Sequence, residues 1–479
     1  ALIFAVHPVN TEAVTYIAGR ADPLSVVFFL SAFLFYINKK PRHLAAVFFF
    51  ALSLLTKEAN LIFPLLLILY DYYVVGERKL KAPAVLRYAP YFLLTFAYLV
   101  LRFFILGLPQ RLAPHIPFGT YLLTMPKILV TYLSLLLFPV HLHMERLVPS
   151  INSIFEQYAV FYILILICLL WPVKILYRRS KPLFFFVGFF FITLLPMLNI
   201  LTINAPMAEH WLYLPSIGAY AVVSYAVIRI MRLKNTISNL VAVILVVFLG
   251  FFSSRTVLRN IEWGRSFEFY RNLIAYTPHS ARGHVNMAFS YIQVKDLVSA
   301  KKEFKTALEL NPMDAHAYSW LGWVEIVQGN KKEAVKDWKK SLDIAPFYEP
   351  SRARMTIYLN AEDKEFRRLC NADSKKPGDI NINYRLSKIY INHGLYLEAL
   401  YRLENVLEKD PRHAKALFNR AWIYSELGMW EKAVGGYKEL IALTPNDPDL
   451  YTNLGYCYEA LGLPKEAGAM HAKAKALKP

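Results

Sequence analysis

The sequence predicts an all-α protein in two parts: a polytopic helical membrane domain followed by an α-solenoid of repeated helix pairs. Three observations predict it. Residues 1–258 are a succession of apolar runs. Basic residues gather in the short links between those runs. From residue 278 onward, proline returns at a nearly constant interval. The expected division is a membrane domain over 1–258, a junction and capping helix over 259–280, and a repeat array over 281–479.

Ala1 falls inside an apolar run that ends at Val6, with no Met, basic leader or cleavage site. The reading is a fragment whose upstream membrane helices are missing. A crossing needs roughly 17–25 mostly apolar residues. The runs Pro23–Ile37, Leu44–Leu55, Ala59–Val75, Tyr88–Leu106, Tyr158–Tyr177, Leu183–Ile203, Trp211–Met231 and Leu240–Phe252 with flanks are taken as spans.

Basic clusters orient them, because Lys and Arg in short loops stay on the cytoplasmic side. Lys39, Lys40 and Arg42 follow the first span, and Arg78, Lys79, Lys81 and Arg87 the third. Lys174, Arg178, Arg179 and Lys181 mark the fifth, and Arg229, Arg232 and Lys234 the seventh. The loop His7–Asp22, the turn Thr56–Glu58, residues 107–157, the 204–210 loop and the C-terminal array then lie on the non-cytoplasmic face, periplasmic, extracellular or luminal. The run Tyr121–Val140 cannot cross once between two cytoplasmic clusters, so it is expected to be re-entrant or interfacial.

The formal charge is +19. Residues 1–280 hold 24 Lys and Arg against ten Asp and Glu, and most of that excess sits in the membrane links. It is a membrane-orientation signal rather than a nucleic-acid footprint. Cys168, Cys370 and Cys457 are scattered and form neither a disulfide framework nor a zinc set. No HExxH, GxSxG, P-loop or GxGxxG occurs, so soluble nucleotide binding and serine chemistry have no signal. His141 and His143 stand two apart without a third ligand at defined spacing, and no metal site is expected.

Prolines fall at 278, 312, 346, 377, 411, 445 and 479, at intervals of 34, 34, 31, 34, 34 and 34. Thirty-four is the tetratricopeptide period. Small and aromatic residues recur with it: Ala288, Ala300 and Phe304; Gly322, Ala334 and Trp338; Tyr390 and Ala399; Ala421, Ala433 and Tyr437; Gly455 and Ala467. Repeat 349–379 is degenerate and three residues short, and is expected to kink the solenoid. Residues 262–278 read as a capping helix begun by Arg259–Trp263. First-helix aromatics Phe289, Trp323, Tyr384, Phe418, Trp422 and Tyr456 either line a concave acceptor groove or belong to the inter-repeat core.

The outer-face links concentrate ionisable residues beside apolar runs, a functional-site signal by default. Outward Arg, Lys and His suit an anionic lipid headgroup, and a nearby carboxylate suits proton removal from an acceptor hydroxyl. His7-Pro8-Val-Asn-Thr11-Glu12-Ala13-Val14 followed by Gly19-Arg20-Ala21-Asp22 resembles the first-loop signature of the transmembrane and tetratricopeptide-repeat-containing O-mannosyltransferases. Thr56-Lys57-Glu58 resembles the TKE turn of that family. Ala208-Glu209-His210-Trp211-Leu212-Tyr213-Leu214-Pro215-Ser216 resembles its AER-x-LYLPS stretch, with His210 where Arg is usual. Arg259-Asn260 with Trp263 resembles its RN-x-x-W junction.

The resemblance implies a GT-C-type membrane glycosyltransferase fold and a polyprenyl- or dolichyl-phosphate sugar as donor substrate, with no certain cofactor. It places the catalytic acid upstream of Ala1, with Glu12, Asp22 and Glu58 as further candidates here. Donor phosphate and sugar are expected at His7, Arg20, Lys57, Glu209 and His210. Arg20, Lys57 and His210 would meet the phosphate, Glu12, Asp22, Glu58 and Glu209 would orient those groups or the sugar, and His7 would hold the loop. The repeats would present a protein or glycan acceptor. The alternative is a membrane-anchored repeat scaffold without catalysis.

Overall fold

The computed structural model describes the chain except residues 39–41, 77–81, 107–116, 147, 157, 199–206, 234 and 479. His115 and the basic residues Lys39, Lys40, Arg78, Lys79, Lys81 and Lys234 lie outside the described residues. Among those described, regular structure is entirely helical. The chain divides into two compact units, Ala1–Gly283 and His284–Pro479.

The first unit holds α1 (Leu2–Val6), α2 (Thr11–Thr15), α3 (Ala21–Ile37), α4 (His43–Thr56), α5 (Phe63–Tyr70), α6 (Ala82–Val100), α7 (Phe118–Leu137), α8 (Ala159–Arg179), α9 (Lys181–Leu194), α10 (Pro215–Met231), α11 (Thr236–Trp263) and α12 (Ser266–Tyr276). Among the described residues, five stretches are long and apolar enough to cross a membrane: Glu58–Val75, Leu86–Ile105, Gly119–Leu137, Lys181–Leu198 and Thr236–Trp263. α3, α4 and α10 are shorter apolar helices. One core packs Phe29, Phe50, Phe63 and Tyr91, with Phe185 and Phe189 of α9. A second packs Tyr132 and Leu136 of α7 against Leu194, Leu212 and Tyr220. Gly218 of α10 permits a close helix approach: a Cβ there would lie 2.6 Å from the Phe186 carbonyl.

α7 is one unbroken helix of 20 residues despite Pro126. Its length and composition meet the requirement for a crossing. One element, the junction at 259–263, departs from the sequence reading. Arg259–Trp263 does not begin the capping helix; it forms the last turns of α11. No proline interrupts Thr236–Trp263, and the helix runs on until Gly264, after which Ser266 starts α12. At 28 residues, α11 is about 42 Å long. That exceeds an apolar bilayer core of roughly 30 Å.

A buried carboxylate also lies within the Glu58–Val75 stretch. Asp71 accepts the hydroxyls of Tyr36 (2.5 Å) and Tyr88 (2.7 Å) and pairs with Arg87 (3.3 Å). It ties α3 and α6 to the π-helical turn Asp71–Val75.

The second unit is a run of antiparallel helix pairs. They are α13 (Ala281–Gln293) with α14 (Leu297–Leu310), α15 (Ala315–Val327) with α16 (Lys331–Ile344), α17 (Glu349–Glu362) with α18 (Lys364–Lys375), α19 (Ile380–Asn392) with α20 (Tyr396–Lys409), α21 (Ala414–Glu426) with α22 (Trp430–Leu443), and α23 (Pro448–Ala460) with α24 (Pro464–Leu477). The periodic small residues are the contact points. Ala300, Ala334, Ala399, Ala421 and Ala433 are all fully buried. The turns within pairs use a left-handed residue: Gly329, Gly394, Gly428 and Gly462, with Lys295 (φ 62°) in the first. In the short repeat that turn shrinks to Asp363 alone, and α18 has 12 residues where α16 and α20 have 14. The missing residues therefore come from the turn and the second helix. The cores of this unit contain no residue before Val285, so the array carries its own folding information.

Candidate functional site

Three stretches far apart in sequence meet at one cavity of ≈ 570 Å³ in the first unit. Tyr16, Gly19, Ala21 and Asp22 come from the first loop, and Thr56, Lys57 and Glu58 from the turn after α4. His210 and Trp211 come from the turn before α10. Leu61, Ile62, Leu195, Pro196 and Met197 complete the wall. The lining is thus divided between charged and apolar side chains.

Local structure fixes each polar group. The Thr56 hydroxyl turns back to the Leu52 carbonyl (2.7 Å), and α4 stops there. Lys57 is extended (φ −154°) for one residue before the 3-10 turn Glu58–Ile62 begins. Its ammonium pairs with Asp22. Asp22 sits in the first turn of α3, where the helix dipole favours an anion. Burial pushes the Lys57 ammonium down to about 8, against the pull of Glu58 and Glu12. Glu58 in turn accepts from Arg102 (3.3 Å), which also donates to the Tyr98 hydroxyl (3.2 Å).

Glu12 is fully buried and holds His210 twice: it accepts the backbone N–H (3.2 Å) and meets Nδ1 (2.8 Å). Nε2 is then the ring nitrogen left for the cavity. Beside His210, Glu209 is buried in an ionic knot. It accepts the His143 backbone N–H (2.7 Å) and Arg146 (2.9 Å), and Arg259 stands 3.8 Å away. Burial pushes the Glu209 carboxyl up to about 7, Arg259 pulls it down, and Glu12 pushes it up again. Burial, then Arg146, hold the His143 imidazole down at about 4.

The junction motif of α11 closes this knot from behind. Arg259 reaches Glu209 and pairs with Glu262 (3.0 Å), and its guanidinium lies over Trp263 (5.8 Å) and Phe269 (5.5 Å). Asn260 accepts the Thr15 hydroxyl (2.7 Å), and the Trp263 ring lies 5.6 Å from Tyr16. The four motif stretches are therefore one assembly, joined by ion pairs, hydrogen bonds and ring contacts.

Of the five residues expected at the donor, the structure brings Lys57 and His210 to the cavity. His7 is buried away from its lining. Burial lowers its imidazole to about 4, so the ring is neutral. Nδ1 accepts the Val9 N–H (3.3 Å), and Nε2 lies 3.1 Å from the Leu136 carbonyl. It links the loop to α7. Glu209 supports the cavity from behind. Arg20 is exposed, between the lining residues Gly19 and Ala21, and does not itself line the cavity. Of the candidate carboxylates, Asp22 and Glu58 line the cavity and Glu12 stands behind His210.

Sequence reading missed Arg102, Arg146 and Asp71 as site or lock residues. Arg102 and Asp71 each interrupt an apolar run, and an intramembrane charge is itself the signal. Arg102 also lies in a π-helical turn, Leu101–Ile105, a feature frequent at functional sites. Arg146 had no signal that named Glu209 as its partner.

In the array, Phe289, Trp323, Tyr384, Phe418 and Trp422 are half-buried and packed against the core, whereas Tyr456 is exposed. Phe289 meets Trp320 edge-on at 5.1 Å, and Trp422 meets Tyr396 at 5.8 Å.

Family models match in the second unit: "TPR repeat" over residues 421–462, and "Tetratricopeptide repeat" over 403–435 and 290–349. Protein O-mannosyl-transferase TMTC3 of Homo sapiens is 24% identical over 511 residues, covering 97% of this chain and 54% of its own. Protein O-mannosyl-transferase F38B6.6 of Caenorhabditis elegans is 26% identical over 324 residues, 65% of this chain and 45% of its own. The crystal structure of YrrB, a TPR protein with an unusual peptide-binding site, covers 44% of this chain and 92% of its own at 20% identity and a TM-score of 0.21. The chain spans about half the length of the curated relatives it matches. Over nearly its whole length, the chain is similar to protein O-mannosyl-transferase TMTC3 of Homo sapiens and of Mus musculus.

Proposed function

We propose that the chain belongs to a membrane glycosyltransferase. It would move a sugar, mannose first, from a polyprenyl- or dolichyl-phosphate donor to a protein or other acceptor on the non-cytoplasmic face. The observation that carries this reading is the cavity shared by the first loop, the Lys57 turn and the His210 turn. Its Lys57 ammonium and His210 imidazole suit a phosphodiester, and its apolar wall suits the first isoprene units of a lipid tail. The names of the relatives support sugar transfer and mannose.

In the transfer, an acceptor hydroxyl replaces the lipid phosphate at the anomeric carbon. A carboxylate takes the hydroxyl proton, and the phosphate leaves with the bonding electron pair. The resemblance puts the principal carboxylate upstream of Ala1. Among those present, Glu58 is the most open, at 47% side-chain exposure, and so the best placed to assist. Arg20 would meet the donor at the cavity mouth. The array would hold the acceptor through its first-helix aromatics.

The test is the full-length protein, reconstituted in liposomes with radiolabelled polyprenyl-phosphate mannose. Donor turnover that falls in Lys57→Ala and His210→Ala is the expected result. No turnover with any lipid-linked sugar, alongside peptide binding by the array, would favour the scaffold.

A further inference from the structure

The short repeat carries a charge pattern that its packing explains only in part. α18 has two acids and both are engaged by the next helix pair. Glu365 pairs with Arg385 (2.5 Å) and Asp373 with Arg402 (2.5 Å). Lys364, Arg367, Arg368 and Lys375 are exposed, and among the described residues none of them makes an ion pair. Their positions advance by three, one and seven residues, which puts them along one side of the helix. They surround a shallow hollow of ≈ 560 Å³ with Asn371 and Ala372. The stripe spans 11 residues, or about 16 Å of helix.

Four exposed like charges this close repel one another, and among the described residues no ion pair offsets that. The face also has no aromatic or aliphatic anchor; Ala372 is its one apolar member. It therefore offers charge without a pocket for a particular side chain. The aromatic first-helix faces of the neighbouring repeats have the opposite character. A surface of repeated phosphates matches such a stripe, because each cation gains separately from a negative surface potential. The array is covalently joined to a unit with membrane-length apolar helices.

We infer that α18 is a docking face for an anionic bilayer surface, with Lys364, Arg367, Arg368 and Lys375 contacting lipid phosphates. This does not rest on the glycosyltransferase reading.

The array has its own core, so residues 280–479 serve for the test. The measurement is co-sedimentation with vesicles of 30% phosphatidylglycerol in phosphatidylcholine, with pure phosphatidylcholine vesicles beside them. Binding to the anionic vesicles alone, weakened by salt, is expected. Arg367→Glu/Arg368→Glu should weaken it by about a hundredfold or more, at roughly fivefold for each charge removed or added. Lys432→Glu/Lys438→Glu, the same charge change on α22, should leave it within about threefold. Circular dichroism melts confirm that both variants are folded. Equal binding to both vesicles would overturn the inference, as would unchanged binding by Arg367→Glu/Arg368→Glu. Binding to soluble polyglutamate but not to anionic vesicles would assign the face to an acidic polypeptide and overturn it too.

Discussion

Replacing Lys57 by Arg should change how donor binding depends on pH more than how strong it is at neutrality. Burial lowers the Lys57 ammonium from 10.5 to about 8. That displacement is worth about 3 kcal/mol against the charged form. The side chain is 19% exposed, so water offsets little of it. The sign follows. The penalty for the charged ammonium is fully present below about pH 8 and fades as pH rises from there to 10.5. Above about 8 the free protein holds Lys57 neutral. A lipid phosphodiester keeps its single negative charge over this range. Donor affinity should therefore fall above about pH 8, by up to about tenfold per pH unit. An arginine stays charged throughout, so Lys57→Arg should flatten that limb. Lys57→Ala should cost about 2 kcal/mol of charge-assisted contact, or roughly thirtyfold in affinity. It also strands Asp22, so Asp22→Asn/Lys57→Ala serves as the folded comparison. The assay is equilibrium binding of a labelled polyprenyl-phosphate sugar in nanodiscs between pH 6 and 10. A wild-type profile flat to pH 10, or the same falling limb in Lys57→Arg, would refute the reasoning.

Five further outcomes are expected. Glu209→Gln leaves Arg146 and Arg259 without their shared carboxylate, and should lower stability by about 3 kcal/mol, read as a lower melting temperature in detergent. Gly218→Ala puts a Cβ 2.6 Å from one backbone atom of α9 and 2.9 Å from another, so it should cost about 2 kcal/mol or more. Gly250→Ala meets nothing within 4 Å and should be neutral or stabilising in the same melt. In the array, Gly322→Ala meets Trp338 Nε1 at 2.6 Å, and that nitrogen is already held 3.1 Å from the Ser319 carbonyl. Urea unfolding of residues 280–479 should show a loss of about 2 kcal/mol. A compartment reporter fused after Lys478 should read the non-cytoplasmic side, provided α7 does not cross; a cytoplasmic signal would mean that it does.

The repeat array was legible almost residue by residue. Positions where two helices nearly touch admit only small residues such as Gly322 and Ala334, and their spacing carries that geometry. The apolar runs announced most membrane helices, but their ends were harder. No proline separates the apolar part of α11 from the polar turns that follow it to Gly264. The cavity was legible as a set of motifs, because Lys57, Asp22 and His210 are costly to place beside apolar runs without a purpose. Which of them face it was not. His7 and Arg20 look equally suited on paper, yet neutral His7 is spent on two backbone groups and Arg20 stays exposed. Pairings such as Glu12 with His210, 198 residues apart, have no trace in local sequence.

The most direct test of the central proposal is photo-crosslinking with a polyprenyl-phosphate mannose bearing a diazirine on its first isoprene unit. The full-length protein would be reconstituted and mapped by mass spectrometry. The account predicts crosslinks in Leu61–Ile62 and Leu195–Met197, lost on competition with unlabelled donor and weakened in Lys57→Ala. Crosslinks confined to other helices, or unchanged by competitor and by Lys57→Ala, would contradict it.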